Sequence, residues 1–258
     1  MNKNNISAVI GTNSWGGKLY GKIIRGNYVP ENVIKDAMKE AKDCGLVTYD
    51  LARDYGFGKA QKMIGEFGTK DIIISAKYTP FKHYKKGCVR KSLMKDLDDF
   101  KRDYVDIYWL HLPTDIEKHL LEIIELYKEK KIRYIGVSNF NLEECKKAKN
   151  ILEKNGIPQK KSLMNFLFNR KVKKLTNLYK VMISVARRHD IKVPQVAIAF
   201  CASKGVIPMV GCRKPEQVHD LSHAADIRLS DNEIKKLEEA ADMTNIKIMG
   251  ADIFRPFV

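Results

Sequence analysis

The feature that most restricts the fold is a repeated alternation of short apolar runs with longer amphipathic stretches. Residues 8–10, 46–50, 72–76, 105–110 and 132–137 read as strands. After the first of them, Pro30 opens a helical pattern in which Val33, Ile34, Ala37, Met38 and Ala41 recur at three- and four-residue spacing. Gly45 follows as its stop. Further helical patterns cover 59–66, 88–101, 116–130 and 141–154. Residues 6–155 thus hold five β/α units of about 30 residues each. Near-continuous apolar strands separated by amphipathic helices imply a parallel sheet covered by helices. A doubly wound sheet and a closed barrel both satisfy this pattern, so periodicity alone gives the class, α/β.

Length and composition narrow the function. The 258 residues suit one barrel domain spanning 1–258, and a 44% hydrophobic content is ordinary for a chain with a sizeable core. No apolar run approaches the roughly 18 residues of a membrane helix, and residues 1–10 lack the apolar stretch of a signal peptide. The five cysteines (Cys44, Cys88, Cys145, Cys201, Cys212) are scattered, without a Cys-x-x-Cys pair or zinc-like spacing. A reducing cytoplasm and no metal are therefore expected. The net charge of +16 raises the question of a nucleic-acid partner. Yet the lysines are mixed with acids on helical stretches such as 125–131 and 143–147, which reads as solvated helix faces. Neither nucleic acid nor membrane is expected as a partner.

In α/β folds the chemistry gathers at the C-terminal ends of the strands. Here those ends carry Asp50, Lys77, His111, Ser138 and Asn139, with Tyr55 in the loop beyond Asp50. The segment Tyr49-Asp-Leu-Ala-Arg-Asp-Tyr-Gly56 resembles the aspartate–tyrosine segment of the aldo-keto reductases. Ile74-Ser-Ala-Lys77 resembles their lysine strand, and Asp103-Tyr-Val-Asp-Ile-Tyr-Trp-Leu-His111 their histidine strand. Gly136-Val-Ser-Asn-Phe140 resembles their nicotinamide-binding turn. Order and spacing match over about 6–157 and again over about 173–242. The resemblance implies a (β/α)₈ TIM barrel and NADP-dependent reduction of an aldehyde or ketone. Tyr55 would give the proton, because a buried cation at Lys77 favours the phenolate left behind. Asp50 would hold Lys77 charged, and His111 would hydrogen-bond the substrate oxygen.

The same resemblance assigns the NADP(H) site. Thr12 and Asn13, after the first strand, together with Ser138 and Asn139, would contact the nicotinamide end, and Trp15 the substrate. Gly211, Arg213, Lys214, Gln217 and Asp220 would form the adenosine-phosphate loop. Arg213, assisted by Lys214, would take the ribose 2′-phosphate, and Pro215 would open a helix whose N-terminus suits an anion. There is no Gly-x-Gly-x-x-Gly or Walker loop, so no Rossmann or P-loop domain is indicated. Trp109 and the helical apolar stripes read as core.

The chain departs from the family in its second half. A sixth strand, sixth helix and seventh strand need roughly 50 to 60 residues, but Gly156 and the helical stretch beginning near Lys173 are only 17 positions apart. Later residues cannot make up the difference, since 173–189 and 193–205 are helical in pattern and 206–210 matches the final strand. The barrel is therefore expected to be incomplete around its sixth and seventh strands, with a gap or deletion within 156–173. Residues 162–168 read either as a surviving strand, followed by Asn169 and Arg170, or as a lead-in to the next helix. Two functions follow: a reductase acting on a small carbonyl substrate as a monomer or weak homo-oligomer, or a non-catalytic relative that binds cofactor.

Overall fold

A computed structural model describes residues 7–18, 22, 28–81, 83–158 and 175–244. Six strands, β1 (Val9–Gly11), β2 (Thr48–Asp50), β3 (Ile73–Tyr78), β4 (Val105–Leu110), β5 (Ile132–Val137) and β6 (Met209–Gly211), form one sheet in the order β5-β4-β3-β2-β1-β6. Every pairing is parallel. The helices are α1 (Glu31–Asp43), α2 (Lys59–Phe67), α3 (Cys88–Phe100), α4 (Ile116–Lys128), α5 (Leu142–Lys154), α6 (Thr176–Arg188), α7 (Val193–Ser203), α8 (Pro215–Asp226) and α9 (Asp231–Asp242). None of the described helices is long and apolar enough to cross a membrane.

Strands β1 to β5 lie side by side in chain order, and β6 returns to pair with the free edge of β1. That return is how a β/α barrel begins to close. Among the described residues no strand pairs with the outer edges of β5 and β6. Their exposure fits this: Arg133 and Tyr134 of β5 and Gly211 of β6 are exposed, whereas Ile74–Lys77 of β3 are all buried. Among the described residues the sheet is thus that of an open, incomplete barrel. Most of the span in which the break is expected, including 162–168 with Asn169 and Arg170, lies outside the described residues.

Several strand boundaries differ from the sequence expectation, two of them for clear physical reasons. β3 continues to Tyr78 because Lys77 and Tyr78 keep pairing with Trp109 and Leu110 of β4, so Lys77 projects from within a strand. The last strand begins only at Met209. Pro208 has no N–H to donate, although its carbonyl accepts from Val9 N at 2.9 Å.

Two main cores, with a small cluster of Ile124, Leu152 and Ile157 beside them, hold these layers. The larger lies between the sheet and the helices of the first half, and includes Ile10, Ile34, Tyr49, Ile64, Ile74, Leu93, Tyr108 and Leu120. Val218 and Leu221 of α8 join it. A smaller core of Val185, Ala186, Val196, Ala199, Leu229 and Leu237 binds α6 and α7 to α9 and its lead-in. Each fully buried aliphatic side chain of this kind contributes roughly 1.5–3 kcal/mol relative to exposure.

Candidate active site

The ends of the strands are set level by hydrogen bonds that extend the sheet ladders. Thr12 N donates to Asp50 O at 3.2 Å, Leu51 N to Ser75 O at 2.8 Å, His111 N to Tyr78 O at 2.9 Å and Ser138 N to Leu110 O at 3.0 Å. Thr12 Oγ1 also donates to Asp50 O at 2.8 Å. Because the sheet is parallel, all these residues lie at one end of it.

Four side chains predicted to act together are brought together there. The Lys77 ammonium donates to Asp50 Oδ2 in a buried ion pair, and its Nζ lies 3.3 Å from the Tyr55 hydroxyl. Tyr55 O–H reaches Asp50 Oδ2 at 3.5 Å. Burial drives the Asp50 carboxyl above its ordinary range, while the adjacent ammonium pulls the other way. His111, at the end of the neighbouring strand, is held by its backbone: its carbonyl accepts from Asn139 Nδ2 at 2.9 Å. Burial, helped by the Lys77 charge, pushes its pKa down to about 3, so the imidazole is neutral.

The turn carrying Tyr55 is fixed from below and from the side. Arg53 pairs with Asp96 and, at 2.6 Å, with Asp99, both on α3. Burial raises the Asp96 carboxyl to about 7 despite the guanidinium. Gly56 adopts φ +63°, and a Cβ there would lie 2.0 Å from Gly16 Cα, so only glycine lets the two loops approach this closely. Across the sheet, a Cβ on Gly136 would lie 2.3 Å from the Trp109 ring. That ring is held by Nε1 donating to Ser75 Oγ at 2.8 Å. Trp109, read from the sequence as core, is half-buried on the strand face shared with His111.

Two residues not singled out from the sequence join the site. Thr79 Oγ1 donates to Asp54 Oδ1 at 2.9 Å and lies 2.8 Å from His111 Nδ1. A signal for Thr79 existed: Ser75, Lys77 and Thr79 fall on one face by the two-residue period of an extended chain. Asp54 carried no such signal, since a loop direction is not periodic.

The expected cofactor residues fall into two groups. Thr12, Asn13, Ser138 and Asn139 lie at the same sheet end as the four central side chains. Asn139 takes the left-handed conformation, φ +59°, and its amide also donates to Ser138 Oγ at 3.2 Å. Gly211 pairs with Gly11, which places the loop of Arg213 and Lys214 one strand from Asp50. In that loop Lys214 is exposed and Arg213 half-buried. Gln217 Oε1 accepts from Arg213 N at 2.8 Å, and Asp220 pairs with Lys192 at 2.7 Å. Trp15 is 1% exposed and donates through Nε1 to Cys212 O at 2.8 Å. In this arrangement it ties the β1 and β6 loops together and offers almost no surface to a substrate.

Comparison with known proteins now has a geometry to be compared against. The model of the aldo/keto reductase family matches residues 8–166 and 158–242. The match comes in two pieces that meet where the sequence is short, consistent with family pattern being absent there. The aldo-keto reductase YhdN of Bacillus subtilis strain 168 is 31% identical over 152 residues, which cover 52% of this chain and 44% of YhdN. Among solved structures, the thermostable aldo-keto reductase Tm1743, in complex with the inhibitor epalrestat, superposes with a TM-score of 0.73 at 22% identity, covering 93% of this chain and 97% of that one. An aldo-keto reductase from Klebsiella pneumoniae in complex with NADPH gives 0.69 at 21% identity, covering 90% of each chain. These likenesses identify the open sheet as a TIM-barrel fold. With its family model matched over most of its length, the chain belongs to the aldo/keto reductase family.

Proposed function

We propose that this protein reduces an aldehyde or ketone to an alcohol using NADP(H), with Tyr55 as proton donor. The observation that carries the reading is the buried contact of Lys77 with both Asp50 and Tyr55. An ammonium at 3.3 Å from the phenol oxygen stabilises the phenolate as the proton leaves. Asp50 keeps that ammonium in place, and burial among apolar neighbours strengthens both attractions by lowering the local dielectric. His111, neutral and anchored, orients the substrate oxygen.

The residues present fit the cofactor. At the end of β5, Ser138 offers a hydroxyl and Asn139 its amide oxygen, the Asn139 N–H groups being taken by His111 O and Ser138 Oγ. The loop after β6 leads into α8, which has Pro215 at its first turn and no side-chain cap, so the positive end of its dipole suits an anion. Arg213 and Lys214 precede that helix end and supply the charge that would distinguish a 2′-phosphate. The cofactor, when bound, supplies the hydride. Binding of NADPH by the Klebsiella pneumoniae relative supports the same assignment here.

Tyr55→Phe tests the mechanism. General acid catalysis contributes about 10²- to 10⁴-fold, so kcat on a generic aldehyde should fall by at least about a hundredfold while NADPH binding, followed by fluorescence, stays nearly unchanged. Retained turnover sinks the assignment. The incomplete sheet favours a second reading, a cofactor-binding relative without turnover. Unmeasurable reduction by the wild-type chain, with NADPH still bound, would select it.

A further inference from the structure

Between the central aspartate and the tyrosine the chain places one long cation. Arg53 follows Asp50 by three residues and precedes Tyr55 by two. Its guanidinium bridges two carboxylates three residues apart on one face of α3, Asp96 through Nη2 and Asp99 through Nη1 at 2.6 Å. The Asp96 side chain is fully buried. The turn then closes over this cation. Gly58 adopts φ +89°, and a Cβ there would lie 2.7 Å from Arg53 Nη1, so glycine gives the guanidinium its room. Tyr55 N donates to Ala52 O at 2.9 Å within the same turn. The backbone of Tyr55 thus belongs to a loop whose start carries the cation and whose end rests on it.

We propose that Arg53, Asp96 and Asp99 are positioning residues that lock the Tyr55 turn onto α3, with the charge on Asp96 setting how firmly the turn is held. For catalysis this rests on the carbonyl-reductase reading above, in which Tyr55 gives the proton. Its hydroxyl must stay near Lys77, whose Nζ is 3.3 Å away, and a displacement of about 1 Å can cost about 10²-fold in rate.

The groups around Asp96 decide when the lock loosens. Arg53 faces it from the loop, Asp99 and Lys95 from its own helix, and Tyr108 from β4. Lys59, Lys62 and Glu66 of the neighbouring α2 are exposed, and the buried Glu122 of α4 accepts from Arg90 N at 2.8 Å. Burial drives the Asp96 carboxyl up and Arg53 opposes it, leaving the pKa at about 7. Above that pH the guanidinium meets two anions. Below it Asp96 is neutral, and Asp99 alone supplies charge-assisted bonding. His111 stays uncharged throughout this window, since its own pKa is about 3.

Amide exchange of residues 51–58, followed by mass spectrometry on the free protein, reads the lock without catalysis. After correction for the intrinsic pH dependence of exchange, wild-type protection should fall between about pH 8 and about pH 6, on either side of the Asp96 pKa. Asp96→Asn, which removes the charge and keeps the shape, should be equally low at both. Constant wild-type protection, or an Asp96→Asn variant as protected as the wild type at the higher pH, overturns the proposal. The wild-type arm needs no variant to fold.

Turnover supplies the second readout. Wild-type kcat on a generic aldehyde should decline about tenfold as Asp96 protonates. In Asp96→Asn it should lie at the lower level across the whole range, with the Kd for NADPH unchanged. An ion pair that only stabilises the fold would shift the unfolding midpoint and leave the acid limb of kcat the same in both proteins, which overturns the link to Tyr55. Failure of the reductase reading is distinguishable, since it appears as undiminished turnover in Tyr55→Phe and leaves the exchange result untouched.

Discussion

The two halves of the site are built to opposite designs. Around β2, β3 and β4 the charges are buried: Lys77 and Asp50 are at most 5% exposed, and each depends on the other for compensation. Around β6 and α8 they face solvent: Lys214 is exposed and Arg213 half-buried. The first arrangement suits chemistry, where a proton must move in a medium that does not screen it. The second suits capture of a large anionic ligand from water, where exposed cations are reached easily and lose little hydration beforehand. The same contrast divides the cores. The main one lies behind the first half, and the second half adds to it chiefly Cys212 after β6 and Val218, Leu221 and Ala225 of α8.

Substitutions should separate the halves. The largest effect is expected for Lys77→Met, which leaves the Asp50 carboxyl buried without its cation. Breaking a buried pair in this way costs about 3–5 kcal/mol of stability, and reductase activity should disappear with it. Chemical denaturation gives the first quantity and an aldehyde assay the second. Loss of activity at full stability would mean that the pair is not compensating burial at all.

Arg213→Ala should do the reverse. NADPH affinity should fall about ten- to a hundredfold, the worth of a charge-assisted contact, with stability unchanged within about 0.5 kcal/mol. Binding of NADH should barely change. Equal weakening of both cofactors would remove the 2′-phosphate assignment.

A smaller effect is expected away from either site. Ser230 caps α9: Glu233 N donates to its hydroxyl, and Glu233 Oε2 accepts from Ser230 N at 2.9 Å. Ser230→Ala should therefore cost about 1 kcal/mol of stability and leave kcat untouched.

Acid should distinguish the halves once more. Burial pushes the pKa of His111 down from 6.5 to about 3, so the unfolded chain takes up a proton in that window and the folded one does not. Its contribution is whole above pH 6.5 and is lost progressively as pH falls toward 3. Glu233 starts lower. Burial opposes its charge, but bonds from Ser230 N, the His189 ring and the Ser230 hydroxyl outweigh that and hold its pKa at about 2, against an ordinary 4.5. Its contribution is whole above pH 4.5 and fades toward pH 2. Melting curves of His111→Asn should lose the slope in the higher window, and those of Glu233→Gln only in the lower. Identical profiles for the two variants would break the distinction.

By itself the sequence determined the order of strands and helices and the parallel class, which are written in local periodicity and survive without knowledge of neighbours in space. Resemblance to the aldo-keto reductases added Asp50, Tyr55, Lys77 and His111 as a set, of which Asp50 and Tyr55 meet Lys77 directly. The sequence also showed that the second half is too short for a whole barrel, because unit length is itself a local quantity. Tertiary structure alone decided the rest. The bond from Trp15 to Cys212 joins residues 197 positions apart, and Arg53 finds Asp96 and Asp99 only when α3 packs beneath its loop. The contacts of Thr79 with both Asp54 and His111 belong to the same class. Loop side chains have no period to announce their direction, so which of them meet is settled only when the strands that carry the loops are laid side by side.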